Sequence, residues 1–401
     1  MSKALIYDAI RSPRGRAKDT GGLHALTPQA LLAQLYSALA ERTGFTPEQV
    51  GDVILGCATQ YGEQAGNIAK SSTLYAGWPQ WVPGMTINRY CSSGIDAVAL
   101  AALKIEAGLA SAVIAGGVEM MSRVPMLADD ARVFKDPAFA ARCQMLMMGN
   151  GADLIATLYG VSREQADAIA LASQQRAARA REAGYFRSIV PITLPDGTRC
   201  EADECVRPDA SAASLAAMQP VFVKAGAAGI DAFQQAAHPA LGEVRHIHTA
   251  GNSPAMADGA AVVMVAGEAF GTVTGSKARA RIVASNTVAA DPTQVLSGCV
   301  EAARAMLNSQ KLTSADIDLF EIHEAFAATS VMALQELNIP DDKLNVNGGV
   351  IALGHPMGAT GAMMLGTLLD ELERRDLQRG IVSAAGAAGS GSALLIERIA
   401  E

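Results

Sequence analysis

Two distant stretches of this chain repeat one pattern. Gly44-Phe45-Thr46-Pro47-Glu48-Gln49-Val50-Gly51-Asp52-Val53-Ile54 reads as a helix end, a capped turn opened by threonine, and a strand. Lys311-Leu312-Thr313-Ser314-Ala315-Asp316-Ile317-Asp318-Leu319-Phe320-Glu321 reads the same way. A matched order of elements points to a duplicated α/β unit, because each unit must bury its apolar faces against another layer.

The elements around the first copy fit this reading. Ala4 to Ile10 reads as a strand, and Pro28 to Arg42 as a helix with Thr27 as cap and proline at its first position. Val53 to Leu55 and Met85 to Asn88 are short strands. Ile95 to Ala107 is a helix stopped by Gly108, and Ala112 to Ala115 a strand ending at Gly116-Gly117. The βα alternation predicts a mostly parallel sheet with helices on both faces. From about 278 the rhythm resumes. Ala280 to Ala284 matches the opening strand, and Ala359 to Arg374 is a helix after a glycine-rich turn.

Residues 121–248 break the rhythm. They are more polar and irregular, and they include a long charged helix from Ser162 to Ala183. Ser162 is its N-cap and Gln165 holds the capping-box position. The expected organisation is 1–120 plus 249–275 as a first unit, 121–248 as an insertion, and 276–401 as a second unit.

Half of the residues are hydrophobic, enough for large cores. The formal charge of −8 argues against a nucleic-acid partner, since such binding rests on Lys and Arg neutralising phosphates. No apolar run is long enough for a transmembrane segment, and Met1 to Asp8 starts like a strand rather than a secretory leader. The cysteines at 57, 91, 143, 200, 205 and 299 lack paired metal spacing, so no metal is expected. Free thiols in a cytoplasmic protein are the simplest account.

Cys91 sits in Asn88-Arg89-Tyr90-Cys91-Ser92-Ser93-Gly94, at the mouth of a helix. Unpaired backbone N–H groups there favour a thiolate, and the thiolate is the nucleophile. A buried structural cysteine is the alternative. The second unit has its own glycine-rich turn, Asn345 to Gly358. Its His355, between Gly354 and Pro356, is a candidate base for Cys91 if the two turns meet. His323 ends a strand and is a candidate donor to a thioester oxygen. Backbone N–H groups of Cys91 and of Gly386-Ala387 are expected to form a second oxyanion hole.

On these residues the chain resembles the thiolases over almost its full length. The motifs are Asn88 to Gly94; Gly116-Gly117-Val118-Glu119-Met120-Met121-Ser122; Ala250-Gly251-Asn252-Ser253 followed by Asp258-Gly259-Ala260-Ala261; His323-Glu324-Ala325-Phe326-Ala327; and Asn347 to Gly361. Ser162-Arg163-Glu164-Gln165-Ala166-Asp167 and Ser173-Gln174-Gln175-Arg176-Ala177 resemble the family's coenzyme A-binding loop domain. The resemblance implies an α/β fold of duplicated βαβαβαββ domains packed in layers, and a homodimer or homotetramer. It implies thiolysis of 3-ketoacyl-CoA or the reverse Claisen condensation, with acyl-CoA and coenzyme A as substrates and no separate cofactor. Cys91 would carry the acyl group, His355 would activate it and His323 would stabilise the oxyanion or enolate. Met148 and Ser253 would line the pantetheine path, beside Gly386 and Ala387.

The chain departs from the family at one place. A second cysteine, which shuttles a proton, belongs in Ser383-Ala384-Ala385-Gly386-Ala387-Ala388-Gly389-Ser390-Gly391. Ala385 occupies its position. Alanine transfers no proton, so acylation of Cys91 is expected to survive and carbon–carbon chemistry to be impaired. Two other readings stay open: decarboxylative condensation by Cys91, His323 and His355, and a non-catalytic acyl-CoA-binding subunit.

Overall fold

The computed structural model describes residues 3–400. The first half contains β1 (Leu5–Arg11), α1 (Pro28–Thr43), β2 (Asp52–Gly56), α2 (Ile68–Tyr75), β3 (Gly84–Ile87), α3 (Ser93–Glu106) and β4 (Ala112–Met120). A long excursion follows, carrying α4 (Met148–Leu158) and α5 (Arg163–Glu182). β5 (Ala257–Ala266) then closes the half. The second half runs β6 (Ala280–Ala289), α6 (Gly298–Gln310), β7 (Leu319–Ile322), α7 (Ala327–Leu337), α8 (Met357–Arg374), β8 (Arg379–Ala385) and β9 (Ser390–Arg398).

Among the described residues these nine strands lie in the order β3-β2-β4-β5-β1-β6-β9-β8-β7, and a short tenth, Gly15–Arg16, pairs beside β5. Counted outward from the β1–β6 joint, each half places its first, fifth, fourth and second strands in the same sequence. The third strand survives in the second half only as a parallel bridge from Leu344 to Phe320. The repeated turn is equally well matched. Thr46 and Thr313 each cap a short 3-10 turn through a reciprocal capping box, directly before β2 and β7. The duplication read from the sequence is thus present in the topology.

The sheet is mixed rather than mostly parallel. Only β2–β3, β2–β4 and β7–β8 pair in parallel. The β4–β5, β5–β1, β1–β6, β6–β9 and β8–β9 pairs are antiparallel. The physical reason is local at β8–β9: a four-residue turn leaves no room for the crossover that a parallel neighbour requires. β4 also extends beyond the expected end and runs through Gly116-Gly117. A Cβ on Gly116 would lie 1.9 Å from the Ala261 carbonyl oxygen of β5, so these glycines permit close strand packing instead of ending the strand.

Helices α3 and α8 form the central layer. α8 buries every residue from Met357 to Leu372 and is apolar nearly all round, as a helix covered on all sides must be. Its Ala359, Ala362, Met363, Leu365 and Leu369 share one core with Ile95, Val98 and Ala101 of α3 and with strands of both halves. Separate outer cores lie under α1 and α2 and under α6 and α7. The fold is therefore a set of packed layers. None of the helices among the described residues is long and apolar enough to cross a membrane.

Candidate active site

The α3–α8 contact determines where the two glycine-rich turns end up. A Cβ on Gly94 would lie 2.9 Å from the Gly358 carbonyl oxygen and from the Ala362 nitrogen. One on Gly117 would lie 2.2 Å from the same Gly358 oxygen. Only glycines let the backbones approach this closely. Cys91 precedes Gly94 by three residues and His355 precedes Gly358 by three, so helix packing brings the two side chains together.

The Cys91 turn is held in a sparsely populated shape. Tyr90 adopts φ +51°, unusual for a bulky residue. Asn88 Oδ1 accepts from Tyr90 N at 2.7 Å, Ser93 Oγ accepts from Arg89 N at 2.8 Å, and the same hydroxyl donates to the Tyr90 carbonyl. Ser92 Oγ donates to the Ala384 carbonyl at 2.8 Å, fastening the turn to β8 of the other half. Ser392 Oγ donates to Asp96 Oδ1 at 2.6 Å and fastens α3 to β9.

His355 Nε2 lies 3.1 Å from Cys91 Sγ, and its Nδ1 lies 2.8 Å from Thr360 Oγ1. The tautomer that gives Nδ1–H to Thr360 leaves the Nε2 lone pair facing the thiol. The preceding Gly354 has φ +101°, and a side chain there would also strike Ala257 and Cys205. His355 N donates to the Ala255 carbonyl at 2.8 Å, which ties this turn to the chain just after Ser253.

His323 completes the cluster. Its ring centroid is 4.5 Å from that of His355, tilted by 42°. It is buried, and among the described residues neither ring nitrogen has a hydrogen-bond partner of good geometry. A buried polar group without a partner is costly, so this one suits a ligand oxygen. Ala385 is fully buried at the end of β8, where its backbone faces the His323 ring.

Burial controls the protonation states. It pushes the Cys91 thiol up to about 12, and the charge of Glu119 pushes the same way. The backbone N–H at the helix mouth opposes both and does not win. Burial of the pair thus works against the thiolate that the helix terminus alone would favour. Burial also holds His355 well below its ordinary value, aided by His323 and Arg14. It lowers His323 to about 4 against the opposing pull of the Ala385 backbone. Cys91 and His355 stay partly open to solvent, as a pair that must meet a substrate requires.

Other expected site residues fall in varied places. Gly386 N–H donates to the Ser390 carbonyl at 2.7 Å, so it is spent within its own turn and is not free for an oxyanion. Ser390 closes that tight turn and consumes the donor. The N–H groups of Cys91 and Ala387 are the remaining candidates. Met148 begins α4 and packs, partly buried, on the core that holds Ile322 and Ala325. Ser253 Oγ donates to the Thr249 carbonyl at 2.6 Å and keeps its acceptor lone pairs. Ser383, the nearest hydroxyl to Ala385 in sequence, donates to the Cys299 carbonyl at 2.6 Å.

Sequence reasoning missed three supports. Glu119 accepts from Ala58 N (2.8 Å), Thr59 N (3.0 Å), Gln64 Nε2 (2.8 Å) and Gly358 N (3.0 Å), so one buried carboxylate ties the first half to the start of α8. Thr360 was unassigned, although its place five residues after His355 on a helix was a usable signal. Asp153 is fully buried and meets His246 Nδ1 at 2.8 Å and His248 Nδ1 at 2.7 Å. His248 in turn packs edge-on against Phe326, with centroids 5.3 Å apart. No short-range pattern announces those contacts.

Comparison with known proteins agrees with this architecture. Residues 4–269 match the family model described as thiolase, N-terminal domain, and residues 276–398 match thiolase, C-terminal domain. A 3-ketoacyl-CoA thiolase of Serratia proteamaculans is 38% identical over 410 residues, covering 100% of both chains. A beta-ketoadipyl-CoA thiolase of Acinetobacter baylyi is 37% identical over 423 residues with the same coverage. The crystal structure of the Bacillus anthracis acetyl-CoA acetyltransferase superposes with a TM-score of 0.85 at 34% identity. That match covers 100% of this chain and 99% of the other.

Proposed function

The chain belongs to the thiolase family and is an acyltransferase of thiolase type, and we propose that it works through an acyl group carried on Cys91. The observation that carries this reading is the 3.1 Å contact between Cys91 Sγ and His355 Nε2, with Thr360 orienting the ring. As Cys91 attacks an acyl-CoA or 3-ketoacyl-CoA carbonyl, His355 takes the thiol proton. Neither group needs to be charged beforehand. The growing negative charge on oxygen meets the N–H of His323, and the neutral state of that ring lets it donate without carrying charge.

In this reading the long excursion is a coenzyme A-binding insertion (121–248). It interrupts a first domain of 1–120 plus 249–275, and 276–401 form the second. Met148, Ser253 and Ala387 line the approach for the pantetheine arm. Ala385 leaves carbon–carbon bond formation and cleavage slow beside acylation.

Strand β3 ends the sheet order, and Leu74, Tyr75 and Trp81 near it in sequence are 50%, 61% and 69% exposed. An uncovered strand edge with an apolar flank invites pairing, which supports a homodimer built on β3. Six free cysteines suit a cytoplasmic enzyme.

The test is transfer of a radiolabelled acetyl group from acetyl-CoA to the protein, located by peptide mapping. Label on Cys91 is expected, with transfer slowed about 10²–10⁴-fold in His355→Ala. Undiminished labelling of Cys91→Ala would end the reading.

A further inference from the structure

Among the described residues neither ring nitrogen of His323 has a hydrogen-bond partner of good geometry. The direction of its N–H therefore rests on packing and on the backbone that carries the ring. That backbone runs straight into a helix. Ala325 N donates to the His323 carbonyl at 2.7 Å, and α7 begins at Ala327. Thr329 Oγ1, in the first turn of α7, lies 3.5 Å from the same carbonyl. The mouth of α7 thus sets the seat of His323.

A helix mouth leaves its first N–H groups without partners inside the helix. Here two in succession are met from outside. Ala327 N donates to the Asn252 carbonyl at 3.1 Å, and Ala328 N donates to His248 Nε2 at 3.4 Å. Both acceptors are anchored by carboxyl groups on helices of the long excursion. Asn252 Nδ2 donates to Asp167 Oδ1 of α5 at 2.8 Å. His248 Nδ1 lies 2.7 Å from Asp153 Oδ1 of α4. A carboxylate only accepts, so Nδ1 carries the proton and Nε2 turns its lone pair toward Ala328. Asp153 is itself held by Ile247 N at 3.1 Å, His248 N at 3.2 Å and His246 Nδ1 at 2.8 Å. His248 and Asp153 are both fully buried. A buried imidazole is harder to accommodate than a hydrocarbon of similar size, so its two directed contacts point to a task.

We propose that His248, seated by Asp153, is a positioning residue for His323: it fixes the mouth of α7 and, through it, the direction in which the His323 N–H points. Asp153 and Met148 share α4, so the wall of the pantetheine path and the donor that meets the thioester oxygen belong to one frame.

This inference rests on acylation of Cys91 with His323 meeting the oxygen, so acylation itself is the readout. Acetylation of the full-length protein by acetyl-CoA is followed in single turnovers by intact mass, over a range of acetyl-CoA concentrations. Parent, His248→Phe, His323→Ala and the double variant are compared. His248→Phe keeps a ring beside Phe326 and removes both polar contacts. Its limiting rate is expected to fall about 10²-fold, as for a misplaced donor. Its half-saturating concentration is expected to move less than about twofold. In the His323→Ala background the same substitution is expected to add almost nothing, because a residue that acts through His323 then has nothing to position. His248→Gln keeps a donor and an acceptor and is expected to recover most of the rate. An equal loss in both backgrounds overturns the inference, since a merely structural role gives that result. A parent-like limiting rate in His248→Phe also overturns it. Should His248→Phe fail to fold, Asp153→Asn takes its place in the same cycle with the same criteria. Absence of acetyl-Cys91 in the parent overturns the inference together with the proposed function.

Discussion

Ala385→Cys is the most informative single change in this protein. It adds one sulfur at the end of β8, where the Ala385 side chain is fully buried and its backbone faces the His323 ring. Two effects of opposite sign follow. Restoring a positioned acid–base group is expected to raise cleavage of acetoacetyl-CoA by about 10²–10⁴, or roughly 3–5 kcal/mol of barrier. Forcing an extra atom into a packed interior is expected to cost about 1–3 kcal/mol of stability. The assay is steady-state thiolysis of acetoacetyl-CoA by parent and variant, with thermal unfolding of both. A faster but less stable variant matches the reasoning. A variant that melts no higher than the parent, still binds coenzyme A and cleaves no faster refutes it, because the missing cysteine would not be what limits the parent.

Other expectations follow from the same geometry. Gly94→Ala places a methyl group 2.9 Å from backbone atoms of α8, so it is expected to lower stability by about 1–3 kcal/mol and to slow acylation as the Cys91–His355 contact opens; thermal melting and labelling rate, read together, check this. Glu119→Gln turns an amide nitrogen toward N–H donors that now share a carboxylate, with an expected loss of about 1–3 kcal/mol in denaturant unfolding. His246 gives a pH signature. Burial pushes its pKa down, but hydrogen bonds and charge from Asp153 and Asp231 outweigh that and leave it raised. Its stabilising contribution is therefore complete below the unfolded value of about 6.5 and is lost as pH rises through the higher folded value. Hydrogen exchange in the helix Asp231–Ala237, corrected for intrinsic rates, is expected to quicken across that window, and His246→Gln is expected to remove the dependence. Exchange that stays flat in the parent would contradict it.

Much of this architecture was legible in local sequence. The Thr46 and Thr313 turns are short-range signals, and their repetition gave the duplicated unit. From that unit came the meeting of the Cys91 and His355 turns. The parallel sheet did not follow, because βα alternation says nothing about the last two strands of each half. Gly116-Gly117 looked like a strand end because a glycine pair carries no mark of the backbone beside it, and the partner at Ala261 is far away in sequence. The thiolate expectation meets a related limit. A helix mouth is visible in sequence, whereas the burial that outweighs it is a property of the packed layers. Glu119 illustrates the same limit: its motif was visible, but its bond to Gly358 spans the two halves.

The central claim is that the acyl group enters on Cys91 easily and leaves slowly. The most direct measurement is a rapid-quench time course with acetyl-CoA alone, with protein mass and acetoacetyl-CoA read at each point. The account predicts acetyl-Cys91 building up well before any acetoacetyl-CoA appears, and no such species in Cys91→Ala. Brisk turnover with no accumulated acyl-enzyme would contradict it.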